Sequence, residues 1–85
     1  MGGEVSMPSK MLSEMAISVR CLAETFGWIV WGKPKARPHN GSVYQCFRKG
    51  NKYLWIGNRF VERSDDPIAL DFVTASRQKL YGFLL

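Results

Sequence analysis

The chain reads as an α+β fold of order α-β-β-β-α: a three-stranded antiparallel sheet with two helices packed on one face. Three observations predict it. Apolar residues recur at helical spacing from Ser9 to Phe26. A basic, aromatic-rich stretch with strand-like runs and turn residues follows, from Trp28 to Arg63. A second helical pattern then opens at Asp65-Asp66-Pro67. With 85 residues the chain has room for a single domain. We place it at residues 9–85, after a tail, residues 1–8, expected to be disordered or added to the native chain. Gly2, Gly3 and Pro8 interrupt that tail, and no periodic pattern crosses it.

The first helix rests on Met11, Met15, Val19, Leu22 and Phe26, spaced three to four residues apart. Leu12, Ile17 and Cys21 widen the stripe, which is expected to face the core. Gly27 ends it, because glycine takes the left-handed conformation that closes a helix. Trp28-Ile29-Val30-Trp31 is aromatic and β-branched, hence a short strand. Gly32 to Ser42 holds two prolines and two glycines and reads as a loop. Val43 to Arg48 forms the second strand, and Lys49-Gly50-Asn51-Lys52 is a hairpin turn. Tyr53 to Ile56 is the third strand, able to run on to Val61 through a bend at Gly57-Asn58. In the second helix Asp65 or Asp66 is the N-cap and Pro67 the first helical residue. Ala69, Phe72, Val73, Ser76 and Leu80 supply its apolar stripe, and Gly82 its stop.

Composition narrows the function. Apolar residues make up 46% of the chain, enough for a compact core and too much for a disordered one. No apolar run reaches the roughly 18 residues of a membrane helix, and no signal-peptide pattern opens the chain. Cys21 and Cys46 are too few for a disulfide framework. They read as buried free thiols of an intracellular, reducing compartment, cytoplasm or nucleus. His39 is the single histidine, so neither a metal site nor a Ser-His-Asp or Cys-His arrangement has its partners. No glycine-rich phosphate loop is present. No catalytic residue, metal or cofactor is expected, and the protein reads as a non-enzyme. Trp28, Trp31 and Trp55 could stack on unpaired bases, but on strands that face a helix they read as core. The Asp65-Asp66 pair reads as helix capping rather than as catalytic carboxylates.

The net charge of +5 is unevenly spread. Residues 1–32 and residues 64–85 each carry −1, while residues 33–63 carry +7. A basic middle of that size is the electrostatic footprint of a polyanion binder.

Leu22-Ala23-Glu24 before Gly27-Trp28, Pro38-His39 in the loop, Tyr44 on the second strand and Gly57 after the third form one set of residues. Ala69, Thr74-Ala75 and Leu80 complete it. With these in its element order the chain resembles a double-stranded-RNA-binding domain, over nearly all its length. The resemblance implies recognition of A-form RNA by shape and phosphate charge rather than by sequence. The loop contacts would fall to Lys33, Lys35, Arg37, Pro38 and His39, and the first-helix contacts to polar residues such as Ser13 or Glu14. The family's lysines at the start of helix two align with Asp66 and Pro67, where carboxylates would repel phosphate. Arg59 and Arg63, in the lengthened link before that helix, would restore the charge.

Two other readings stay open. The same fold could serve protein binding or self-association, as the Asp pair and the apolar Phe83-Leu84-Leu85 end suggest. Alternatively, Val43 to Leu80 fits the outline of the arm-binding domains of phage integrases, whose sheet enters the DNA major groove.

Overall fold

The computed structural model describes residues 14–36 and 43–85, without the side chains of Asp66 and Pro67. Elements follow in the order α1 (Glu14–Thr25), β1 (Ile29–Val30), β2 (Lys35–Ala36), β3 (Val43–Lys49), β4 (Lys52–Ile56), β5 (Phe60–Arg63), β6 (Asp66–Asp71) and α2 (Arg77–Leu84). The class is α+β, with two helices and an antiparallel sheet. The sheet has six strands, not the expected three, in the order β1-β3-β4-β5-β6, with β2 also pairing β3.

The three added strands come from places where turn residues masked short pairings. Inside the expected loop, Lys35 and Ala36 pair with Tyr44 and Val43. The expected bend at Gly57-Asn58 is a reversal: the Gly57 N–H donates to the Phe60 carbonyl at 2.8 Å, and β5 returns along β4. The largest correction concerns Asp65-Asp66-Pro67, which does not open a helix. Ser64 and Asp65 form a turn, and Asp66–Asp71 is an edge strand paired with β5 through a register shift. Proline is tolerated there because an edge strand has one set of N–H groups without a ladder partner. Asp-Asp-Pro is a turn signal as well as a cap signal, and strand pairing decided between them.

The second helix begins instead at Arg77. Its N-cap is Ser76, whose hydroxyl accepts from the Lys79 N–H at 3.2 Å. It runs through Gly82, the expected stop, to Leu84. The first helix stops where expected. Gly27, at φ 96°, is flanked by Trp28 N–H to Ala23 carbonyl (3.1 Å) and Gly27 N–H to Glu24 carbonyl (3.0 Å) bonds. This is the Schellman pattern.

The core lies between the two helices and one face of the sheet. Ala16, Val19 and Ala23 of α1 and Leu80 and Leu84 of α2 meet Phe47, Leu54, Ile56, Val61 and Leu70. The buried face of α1 is therefore turned from the expected one. The small side chains Ala16 and Ala23 lie in the contact, with Leu22 and Phe26 half-buried beside them. Met15, Ile17 and Cys21, expected inside, are exposed. Alanine lets a helix approach a sheet closely, so larger neighbours are pushed to the rim. Met11, Leu12 and the expected helix start at Ser9 lie outside the described residues. Trp28 is core as expected: its indole N–H donates to the Leu84 carbonyl at 2.7 Å, tying the start of β1 to the end of α2.

Candidate nucleic-acid interface

Directly opposed residues of an antiparallel pair share a face, and alternate residues of a strand change face. Phe47 opposes Leu54, and Ile56 opposes Val61; these look toward the helices. Their neighbours Tyr44, Cys46, Arg48, Tyr53, Trp55, Phe60 and Glu62 therefore look the other way. An antiparallel sheet can leave such a face to water, and this one carries aromatic and basic side chains together.

Trp31 extends the β1 pairing by donating its backbone N–H to the Cys46 carbonyl at 3.0 Å. Its ring lies 5.1 Å from that of Tyr53, tilted by 60°, and the residue remains 46% exposed. Arg48 stands opposite both Ile29 on β1 and Tyr53 on β4, so its side chain leaves on the same face. The exposed Arg48 donates from Nε to the Gly50 carbonyl at 2.9 Å, inside the β3–β4 turn. Toward the other end of β3, Tyr44 is buried with its ring against Gly57, where a Cβ would lie 2.8 Å from a ring carbon. Cys46 is buried between these groups. Burial pushes its thiol pKa up, and the nearby Lys35 opposes that shift.

The sequence-predicted residues separate into three groups. Lys33 and Lys35 are exposed, and Lys35 opposes Tyr44 on β3. The turn that carries Lys33 is fixed by Gln45, whose side-chain amide donates to the Gly32 carbonyl at 3.1 Å. Arg37, Pro38 and His39 lie outside the described residues. The two ends of their segment are held side by side by the pairing of Ala36 with Val43.

Arg59 and Arg63 are engaged elsewhere. Arg59 grips Asp71, with both Nε and Nη2 at 2.7 Å from Oδ2. Asp71 also accepts from the Val73 N–H at 3.1 Å. The hydrogen bond from Arg59 is the main cause that holds the Asp71 carboxyl below its ordinary range, and the same bond raises Arg59. Arg63 opposes Leu54 and so belongs to the helix side. Its guanidinium lies 4.7 Å from the Phe83 ring, donates to the Phe83 carbonyl at 3.5 Å and sits 3.8 Å from Asp65. A cation at the C-terminal end of α2 also complements the helix dipole.

Sequence reasoning assigned Trp31 to the core and did not single out Arg48 or Tyr53 as surface groups. The alternation of Tyr44, Cys46 and Arg48 against Gln45 and Phe47 carried that signal. It becomes readable once both helices are known to cover the same side.

Among the described residues no cluster of His, Cys, Asp and Glu could hold a metal ion, and no helix is long and apolar enough to cross a membrane. No protein-family model, curated protein or solved structure matches this chain.

Proposed function

We propose that the protein is a non-catalytic RNA-binding module that holds phosphates with the basic segment around β2 and with Arg48 at the opposite end of β3. One observation carries this reading. Between Glu24 and Glu62 the chain has no carboxylate, yet it holds Lys33, Lys35, Arg37, Arg48, Lys49, Lys52 and Arg59. Of these Lys33, Lys35, Arg48, Lys52 and Arg59 are exposed, and Arg59 is held by Asp71. A surface of one sign concentrates a polyanion and steers its approach.

Double-stranded RNA is the substrate that the resemblance implies. Its shape and backbone would be met by Lys33, Lys35, Arg37, Pro38 and His39. The repulsion expected from Asp66 at the start of helix two is relieved, because α2 opens with Arg77-Gln78-Lys79, and Arg77 and Lys79 are exposed. Two cations in the first turn of α2 support a further phosphate contact.

Binding to an RNA duplex of about 20 base pairs tests this, since such modules span about 16. With about four phosphate contacts, affinity should fall roughly a hundredfold between about 50 and 200 mM salt. The Lys33→Gln/Lys35→Gln double variant should make the salt slope shallower by about two contacts. A salt-independent response, or a matching DNA duplex bound more tightly than RNA, would count against the reading. The second outcome would favour the sheet-in-major-groove alternative.

Protein binding or self-association is a second reading, favoured by a different observation. An open groove of about 850 Å³ lies between α1 and the β6–α2 connection, lined in part by Met15, Leu22, Val73 and Tyr81. A chain that sediments as a monomer at all concentrations would remove the self-association form of this reading.

A further inference from the structure

We infer that Trp31 is a stacking platform for an unpaired base, so that the RNA held by this module presents a single-stranded nucleotide beside the phosphates at Lys33 and Lys35. This rests on the RNA-binding reading and adds the substrate class to it.

Trp28, three residues earlier, is 1% exposed, whereas Trp31 is 46% exposed although its backbone is bonded to β3. Its ring is nonetheless held in place. The backbone bond to Cys46 fixes its position along β3, and the tilted contact with Tyr53 supports the ring while leaving part of it open. An aromatic ring held on an open sheet face has little freedom left to lose on binding, which favours base stacking. Every base has a flat π-face, so such a platform tolerates sequence and needs only an unpaired base.

The surroundings favour a polyanion over an apolar protein surface. Arg48 leaves on the same face opposite Tyr53, and Lys33 and Lys35 follow Trp31 by two and four residues. Ring and cations thus belong to one short segment and the strand it pairs with, the combination of stacking ring and positive charge that unpaired nucleic acid is held by. Two carboxylates share the face farther along: Glu62, opposite Trp55, and Asp71, which Arg59 binds. Both belong to the β5–β6 side, away from β1.

Three RNAs test the inference: a single strand, a closed, blunt-ended duplex of two fully paired strands without a loop, and the same duplex with a single-stranded overhang. Trp31→Ala should weaken the single strand and the overhang by about 5- to 100-fold. It should change the closed duplex by less than about twofold, because no unpaired base is offered. Trp31→Phe keeps a ring and should restore most of the loss. Parent tryptophan emission should be quenched on adding single-stranded RNA, and the quenching should shrink in Trp31→Phe. Equal loss on all three RNAs, or no loss on any, overturns the platform. If Lys33→Gln/Lys35→Gln still weakens all three in that case, the RNA-binding reading survives without it. If no RNA binds the parent protein, both fall together. A Trp31→Ala variant that only turns a dimer into a monomer overturns the inference in favour of a protein interface.

Discussion

Replacing Trp28 by phenylalanine isolates the link between the two ends of the fold. The indole N–H meets the Leu84 carbonyl at 2.7 Å, and both residues are buried. Leu84 is the last residue of α2, so its carbonyl has no partner within the helix. Phenylalanine removes the donor and strands that carbonyl out of reach of water, which costs about 1–3 kcal/mol. The smaller ring also gives up buried apolar volume worth roughly 1–2 kcal/mol, counted at about 0.8 per methylene. The expected loss is therefore about 3 kcal/mol. A domain of this size has about 4–13 kcal/mol in total, so the effect is large. With a urea m-value of about 1–1.5 kcal/mol/M, the midpoint should fall by about 2–3 M. Circular dichroism is the right probe, since Trp28 itself contributes to the fluorescence. Trp31→Phe is the control, and it should stay within about 0.5 kcal/mol of the parent. A Trp28→Phe loss no larger than that control would refute the buried hydrogen bond and the docking of α2 that it represents. In the parent, the Trp28 indole proton should also exchange with deuterium more slowly than that of Trp31.

Gly57→Ala should destabilise by about 1–3 kcal/mol, because the new methyl meets the buried Tyr44 ring at 2.8–3.1 Å; a neutral melt would mean that the ring lies elsewhere. Ser76→Ala should cost about 1 kcal/mol by removing the cap of α2, and an unchanged melting curve would argue that the helix starts at another residue. The Asp71 carboxyl titrates below its unfolded value because Arg59 holds it. Its contribution is therefore complete above the ordinary carboxylate pKa and is lost as pH falls through the lowered one. Urea midpoints measured from neutral to acid pH should show a shallower acid decline in Asp71→Asn than in the parent. Identical declines would sink the Arg59–Asp71 pair as a folded-state interaction.

The parts of the fold that could be read from sequence were those set by local chemistry. Gly27 closes α1 by its left-handed backbone, and Lys49-Gly50-Asn51-Lys52 turns β3 into β4, with Gly50 at φ 62°. Misread elements were those in which local signals were ambiguous and long-range pairing decided. Asp65-Asp66-Pro67 suits a helix start, yet β5 was available to pair the residues that follow. The spacing of Ala69, Phe72 and Val73 suits a helical stripe equally well. In the strand and turn it leaves Leu70 and Phe72 buried and Val73 exposed. Helix rotation was also out of reach, since nothing local favours Ala16 and Ala23 over Met15 and Ile17 as the buried residues.

The candidate site divides along the same line. Charge segregation is a property of sequence, and it marks residues 33–63 as the basic segment, while the choice of Lys33 and Lys35 within it comes from the family resemblance. The partners of Arg59 and Arg63 are tertiary: Asp71 is reached only by pairing β5 with β6, and Phe83 only by docking α2. The exposure of Trp31 likewise depends on both helices covering the same sheet face.

The most direct test of the account is affinity for RNA as a function of salt, parent against Lys33→Gln/Lys35→Gln/Arg48→Gln. The parent should bind with an affinity that falls steeply with salt, and the triple variant should bind weakly with a slope shallower by about three contacts. Equal affinities and equal slopes for the two proteins would contradict it, because the RNA would then be held by some other surface.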